Sequence, residues 1–218
     1  MIKTVIFDMD GVIFDTESVM KRFWQEEADR YDFGDITPLY MRCVGVTEDA
    51  CAEMIARDYP QLPPFAEFKK RPFAAFHRYN EEHGMPLKPY VKELLSSLKA
   101  HGWKIGLASS TKLATVEIEL DSAGLLDDFD VVIGGDLLKR SKPEPDIYLM
   151  ACEKIGTLPA EAYAIEDSYN GIRSAHAAGM HPLMVPDLLP PTEEMQSLSE
   201  AILPDLAAVR SYLFPSVN

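Results

Sequence analysis

Cysteine is scarce. The 218 residues hold three, Cys43, Cys51 and Cys152, too few and too scattered for a disulfide framework or a zinc knot. Reduced thiols in or near a core are the simpler reading. Long apolar runs are missing too. No stretch of about 18 consecutive apolar residues occurs, so no membrane span is expected. The opening MIKTVIFDMD carries two carboxylates, unlike a secretory signal. These points favour a cytoplasmic setting. Positive charge is also short: 21 Lys plus Arg against 35 Asp plus Glu, a formal net charge of −14. Such a surface repels polyanions, so neither nucleic acid nor a membrane is expected as a partner. It also sits awkwardly with a phosphorylated small molecule.

What is present is ordinary for a soluble globular chain: 47% hydrophobic and 26% charged residues. The length allows one or two domains, and a monomer is the default. The chain has no internal repeat and no low-complexity segment. Thr4-Val5-Ile6-Phe7 is a short β-branched, apolar run and reads as a buried strand. Similar runs follow at Lys104–Ala108, Asp130–Ile133, Tyr163–Ile165 and Leu183–Val185. Helical patterns lie between them, at Val91–His101, Thr115–Ala123, Pro145–Ile155 and Gly171–Ala178, with Gly102, Gly124, Gly156 and Gly179 as stops. Strands alternating with helices predict an α/β fold with a parallel sheet flanked by helices, a Rossmann-like arrangement.

Residues 15–88 break this rhythm. They show helical periodicity and no convincing strand, with punctuation at Thr37-Pro38, Gly45, Pro60–Pro64 and Pro72. The expected organisation is a core domain of residues 1–14 and 89–218, interrupted by a helical domain over 15–88. Ten basic and fourteen acidic residues fall in 15–88, a balance of −4, so −10 belongs to the core. After Pro186 the pattern shows a turn and a helix start.

The chemistry concentrates at strand ends. Asp8 and Asp10 follow the first strand; at i and i+2 they point to one side of an extended chain. Open α/β sheets bind ligands at such carboxyl ends. Two close carboxylates repel unless a proton or cation intervenes, and Mg²⁺ with oxygen ligands is the simplest cation. Alone, Asp8-x-Asp10 reads equally as a helix cap or a surface turn. The second strand ends in Ser109-Ser110-Thr111, which would either hold a phosphate or cap a helix. Lys142 precedes another helix; a lysine suits phosphate oxygens, although alone it reads as a solvated surface residue. The fourth strand ends in Glu166-Asp167-Ser168. Together these put acid, hydroxyl, lysine and acid at successive βα turns of one sheet.

At these residues the chain resembles a known family. Asp8-x-Asp10-Gly11-Val12, Ser109, Lys142-Pro143-x-Pro145-Asp146 and Glu166-Asp167-Ser168 match, in order and spacing, the four motifs of the haloacid dehalogenase-like superfamily. The helical insertion resembles the four-helix cap of the branch holding β-phosphoglucomutase and many small phosphatases. The resemblance implies roles. Asp8 would attack phosphorus and form an aspartyl-phosphate. Asp10 would act as general acid and then base. Ser109, Ser110 and Lys142 would hold the phosphoryl oxygens. Mg²⁺ would be held by the Asp8 carboxylate, the Asp10 backbone carbonyl and Asp167, with Glu166 in support. Lys142 would keep Asp8 ionised.

An intact Asp-x-Asp argues for phosphoryl transfer over carbon–halogen cleavage, since the dehalogenases of the family lack the second aspartate. The mutases resembled here carry a histidine four residues after the position of Thr16, where this chain has Met20. They also carry an arginine after a Gly-Val-Ser, whereas Gly45-Val46-Thr47 is followed here by Glu48. Both departures favour a phosphatase on a small phosphomonoester, such as a sugar phosphate. A phosphosugar mutase is the alternative, and a non-catalytic phosphometabolite-binding protein is a third class. Substrate choice is expected to lie in Thr16, Trp24, Arg42, Val44, Gly45, Val46 and Lys69. Ile13 and Phe14 would form the hinge region leading into the cap. The five histidines lie outside all four motifs.

Overall fold

A computed structural model describes residues 2–44 and 48–215 of the chain. It divides into two compact units, residues 1–14 with 87–218, and residues 15–86.

The first unit is built on a parallel sheet. Its strands are β1 (Thr4–Phe7), β2 (Lys104–Ser109), β3 (Val131–Gly134), β4 (Ala162–Glu166), β5 (His181–Met184) and β6 (Ala201–Ile202), in the spatial order β3-β2-β1-β4-β5-β6. Every pairing is parallel. All four residues of β1 are buried, as the apolar run requires when both faces are covered. Phe7 pairs with Leu107 on one side and Ile165 on the other, so the carboxyl ends of β1, β2 and β4 come level. The chain builds outward from β1 through β2 to β3, then restarts beside β1 with β4. That reversal of order opens a crevice beyond the carboxyl end of β1, where doubly wound sheets place ligands.

Helices between the strands follow the apolar spacing. In α6 (Val91–Ala100) the buried residues are Val91, Leu94, Leu95 and Leu98, one face of a helix. In α8 (Asp146–Ile155) they include Ile147, Tyr148, Ala151 and Ile155, and the helix stops at Gly156 in the left-handed region, φ 70°. One apolar layer joins Ile6, Ala108, Ile133, Ile147, Tyr148 and Ala151. Between them, α7 (Leu113–Ser122) follows β2, and α9 (Tyr169–Ala177) follows β4, starting two residues earlier than its periodicity indicated because Ser168 caps it. The tail holds more than a helix start. It forms α10 (Glu193–Leu198), the edge strand β6 and α11 (Leu206–Leu213). A two-residue strand is too short to show a period of two in sequence.

The second unit consists of α1 (Thr16–Ala28), α2 (Thr37–Cys43), α3 (Glu48–Asp58), a single turn α4 (Phe65–Phe68) and α5 (Lys70–His83). Among its described residues no strand forms. Its core is aromatic: Trp24 meets Tyr40, Phe65 and Phe68 with ring centroids 5.0, 5.6 and 5.2 Å away. No helix among the described residues is long and apolar enough to cross a membrane.

Candidate active site

The site forms where β1, β2 and β4 end. The Asp8 backbone N–H still donates to Ile165 at 2.9 Å, so Asp8 leaves the sheet fixed in place. The chain then turns sharply: the Met9 carbonyl accepts from Ile13 at 2.8 Å and Phe14 at 3.0 Å. Gly11 sits in this turn at φ 79°. A Cβ there would lie 2.3 Å from an Asp167 carboxylate oxygen. Glycine is therefore required twice, for the backbone angle and for the approach of Asp167.

Lys142 is the hub. Its Nζ donates to Asp8 Oδ1 at 2.5 Å, to Glu166 Oε1 at 2.6 Å and to the Ala108 carbonyl at 3.2 Å. Glu166 is fully buried and well supplied with donors. The Tyr148 hydroxyl reaches its Oε1 at 2.7 Å and the Ser168 hydroxyl its Oε2 at 3.1 Å. Gly171 lines the same recess, because a Cβ there would fall 1.9–2.0 Å from the Glu166 carboxyl atoms. Glu166 cannot retreat without leaving Lys142 and Tyr148. Gly171→Ala is thus expected to cost about 1–3 kcal/mol by overpacking. Thermal unfolding tests this, and an unchanged melting temperature would show that Glu166 is not pinned.

The charges are unbalanced. Asp8, Glu166 and Asp167 each offer an oxygen within 4.8 Å of the others, against one ammonium. Burial, and next the Glu166 charge, push Asp8 up to about 7 although Lys142 pulls it down. Lys142, expected to keep Asp8 ionised, is the lowering influence, and in the metal-free site burial and Glu166 outweigh it. Burial also drives Asp167 well above the usual carboxylate range, helped by Glu166 and Asp8. Burial works against the charge on Lys142, but Asp8 and Glu166 outweigh it and hold the ammonium above its ordinary value. Tyr148 is raised well above its ordinary value, by burial and then by Glu166, and stays a hydroxyl donor. Three carboxylates facing one lysine need a proton or a dication, and an all-oxygen donor set suits a hard cation. The residues therefore fit Mg²⁺.

The remaining motif residues lie around this cluster. Ser109 is buried, and its Oγ accepts from the Thr111 N–H at 3.1 Å, which leaves its own proton for another acceptor. Ser110 is exposed at the start of the turn. The Asp10 carboxylate stands outside the three-carboxylate cluster, with the Thr111 hydroxyl 3.5 Å away. Three participants escaped the motif reading. Tyr148 is one. Glu119, half-buried on α7, is pushed up to about 7 by burial and then by the Asp10 charge. Asp187 pairs with Lys88 at 2.7 Å, and its charge adds to those raising Asp167. Asp187 did carry a signal, since it is a further carboxylate just beyond a strand end.

The haloacid dehalogenase-like hydrolase profile matches residues 5–185, a span that contains Asp8, Asp10, Ser109, Lys142, Glu166 and Asp167. The chain belongs to the haloacid dehalogenase-like hydrolase family. It is 32% identical over 178 residues to the phosphorylated carbohydrates phosphatase of Thermotoga maritima, covering 82% of each chain. It is also 32% identical over 186 residues to the β-phosphoglucomutase of Bacillus subtilis, covering 82% of this chain and 80% of that one. A family hydrolase of Deinococcus radiodurans R1, solved with bound phosphate and sodium, superposes with a TM-score of 0.83 at 27% identity, covering 97% of this chain and 95% of that one.

In this haloacid dehalogenase-like hydrolase the residues expected to choose the substrate are dispersed. Thr16 opens α1. Trp24 is 4% exposed, its ring packed inside the aromatic core of the helical unit. Arg42 is committed to Asp58 at 2.6 Å and to the Tyr59 hydroxyl at 2.8 Å. Val44 ends α2. Lys69 lies between α4 and α5, its Nζ 5.7 Å from the Phe65 ring centroid. Gly45 and Val46 lie outside the described residues.

Proposed function

We propose that this chain is a Mg²⁺-dependent phosphatase that hydrolyses a small phosphomonoester, such as a sugar phosphate, through an aspartyl-phosphate on Asp8. The observation that carries this reading is the buried Asp8–Lys142–Glu166 arrangement beside Asp167 at the carboxyl end of β1. An Asp8 oxygen attacks phosphorus while Asp10 gives its proton to the departing alkoxide, so the P–O bond to the alcohol breaks. Asp10 then takes a proton from water as that water attacks phosphorus, which frees Asp8 and releases phosphate. Ser109 and Lys142 donate to the phosphoryl oxygens during both halves. Mg²⁺, held by Asp8, Asp167 and the Asp10 carbonyl with Glu166 in support, would neutralise charge on the phosphoryl group. Residues 15–88 serve as the cap that chooses the substrate. The similarity to a phosphorylated carbohydrates phosphatase supports a sugar phosphate. Three free thiols suit a reducing cytoplasm.

The similarity to β-phosphoglucomutase favours a second reading, a phosphosugar mutase. Met20 and Glu48 oppose it, as do the commitments of Arg42. One assay separates the two. Protein with Mg²⁺ is offered an aryl phosphate, a panel of sugar and nucleoside monophosphates, and β-glucose 1-phosphate with its bisphosphate. Release of inorganic phosphate is expected. Conversion of glucose 1-phosphate to glucose 6-phosphate without phosphate release would refute the phosphatase.

A further inference from the structure

Tyr148 lies in the first turn of α8, six residues after Lys142, and its side chain is fully buried. It touches both halves of the central ion pair. The Lys142 Nζ stands 5.1 Å from the centroid of its ring, in cation–π range. Its hydroxyl donates to Glu166 Oε1, the same oxygen that takes Lys142. Lys142 has three N–H donors, and all three are engaged, by Asp8, Glu166 and the Ala108 carbonyl. For Lys142 to serve a phosphoryl oxygen, one of these bonds must loosen. The Ala108 bond is the longest and goes to a neutral acceptor, and the Glu166 bond is the one with a second donor already in place.

We propose that Tyr148 is a positioning residue for Lys142: its hydroxyl keeps buried Glu166 satisfied while Lys142 turns a donor toward the phosphoryl group. Without that hydroxyl, Glu166 Oε1 depends on Lys142 alone and holds it back. The ring keeps the ammonium in place during the exchange. The inference rests on the phosphatase reading of this site, but its first readout is binding.

Tyr148→Phe keeps the ring and removes the donor; Tyr148→Leu removes both. Inorganic phosphate is titrated by calorimetry into full-length wild type and each variant with saturating Mg²⁺, and Mg²⁺ is titrated alone. Tyr148→Phe is expected to bind phosphate about tenfold more weakly, the scale of one hydrogen bond to a charged group. Its Mg²⁺ affinity should fall less than its phosphate affinity, because the hydroxyl touches neither Asp8 nor Asp167 and reaches the metal-binding carboxylates only through Glu166. Its kcat/KM should fall by a similar factor, and Tyr148→Leu should lose more on both counts. If Tyr148→Phe binds phosphate like wild type and only Tyr148→Leu is impaired, Tyr148 merely packs and the proposal is overturned. Wild type that binds phosphate yet turns over nothing in the panel ends the phosphatase reading, while the affinities of the variants still decide Tyr148. Wild type that binds no phosphate ends both.

Discussion

Asp8→Asn is expected to remove phosphate release altogether, by at least ~10³-fold, which corresponds to about 4 kcal/mol of barrier. The reason is chemical. An amide nitrogen or oxygen at this position cannot form the aspartyl-phosphate, and no other carboxylate takes its place. Asp10 stands outside the Asp8–Glu166–Asp167 cluster, Glu166 is tied to Lys142, Tyr148 and Ser168, and Asp167 is lodged against Gly11. The substitution should leave the fold intact and raise the stability of the metal-free protein at neutral pH. Asp8 is pushed from its usual 3.8 up to about 7, by burial and then Glu166. Between those values the folded state binds more protons than the unfolded state. Stability therefore falls as pH rises through this window: the contribution is fully present below about 4 and lost above about 7. Asparagine carries no such charge, so its stability against pH should be flatter. Phosphate release and thermal melts from pH 4 to 8 test both parts. A folded Asp8→Asn protein with turnover near wild type would rule out the covalent route.

Removing divalent cations should be as severe. EDTA is expected to reduce turnover to background, and Mg²⁺ to restore it. Three carboxylates face one ammonium, so the metal-free site carries an excess of two negative charges when fully ionised. The protein answers by raising Asp8 and Asp167. A cation binds the ionised forms, so binding expels protons and tightens as pH rises through about 7. Stabilisation follows mass action, about 2.7 kcal/mol at a hundredfold excess over Kd. Mg²⁺ should therefore raise the melting temperature more at pH 8 than at pH 6. Calorimetry in two buffers of different ionisation enthalpy should detect the released protons. Full activity in EDTA, or a melting shift that ignores pH, would contradict the metal site.

The alternation of apolar runs and capped helices was enough to anticipate the parallel sheet and most of its strands, because each of these elements is specified locally. The β1 run is apolar and β-branched, and Gly156 ends α8 where glycine alone is unstrained. The motif residues were legible for a related reason: Asp8, Ser109, Lys142 and Glu166 each sit at a strand end or helix entry that the sequence marks. The edge strand β6 was not legible, having two residues and no period.

By itself, then, the sequence determined which side chains stand at the carboxyl ends of the strands, since a parallel sheet delivers every strand end to the same edge. Only the tertiary structure decided how they share charge. Lys142 and Asp8 meet across 134 residues of chain, and burial there, which no local pattern encodes, lifts Asp8 against the pull of its own lysine. The same packing withdrew Trp24 into an aromatic core and brought Tyr148 onto Glu166. A side chain's contacts depend on which distant element covers it, and that is settled when the layers assemble.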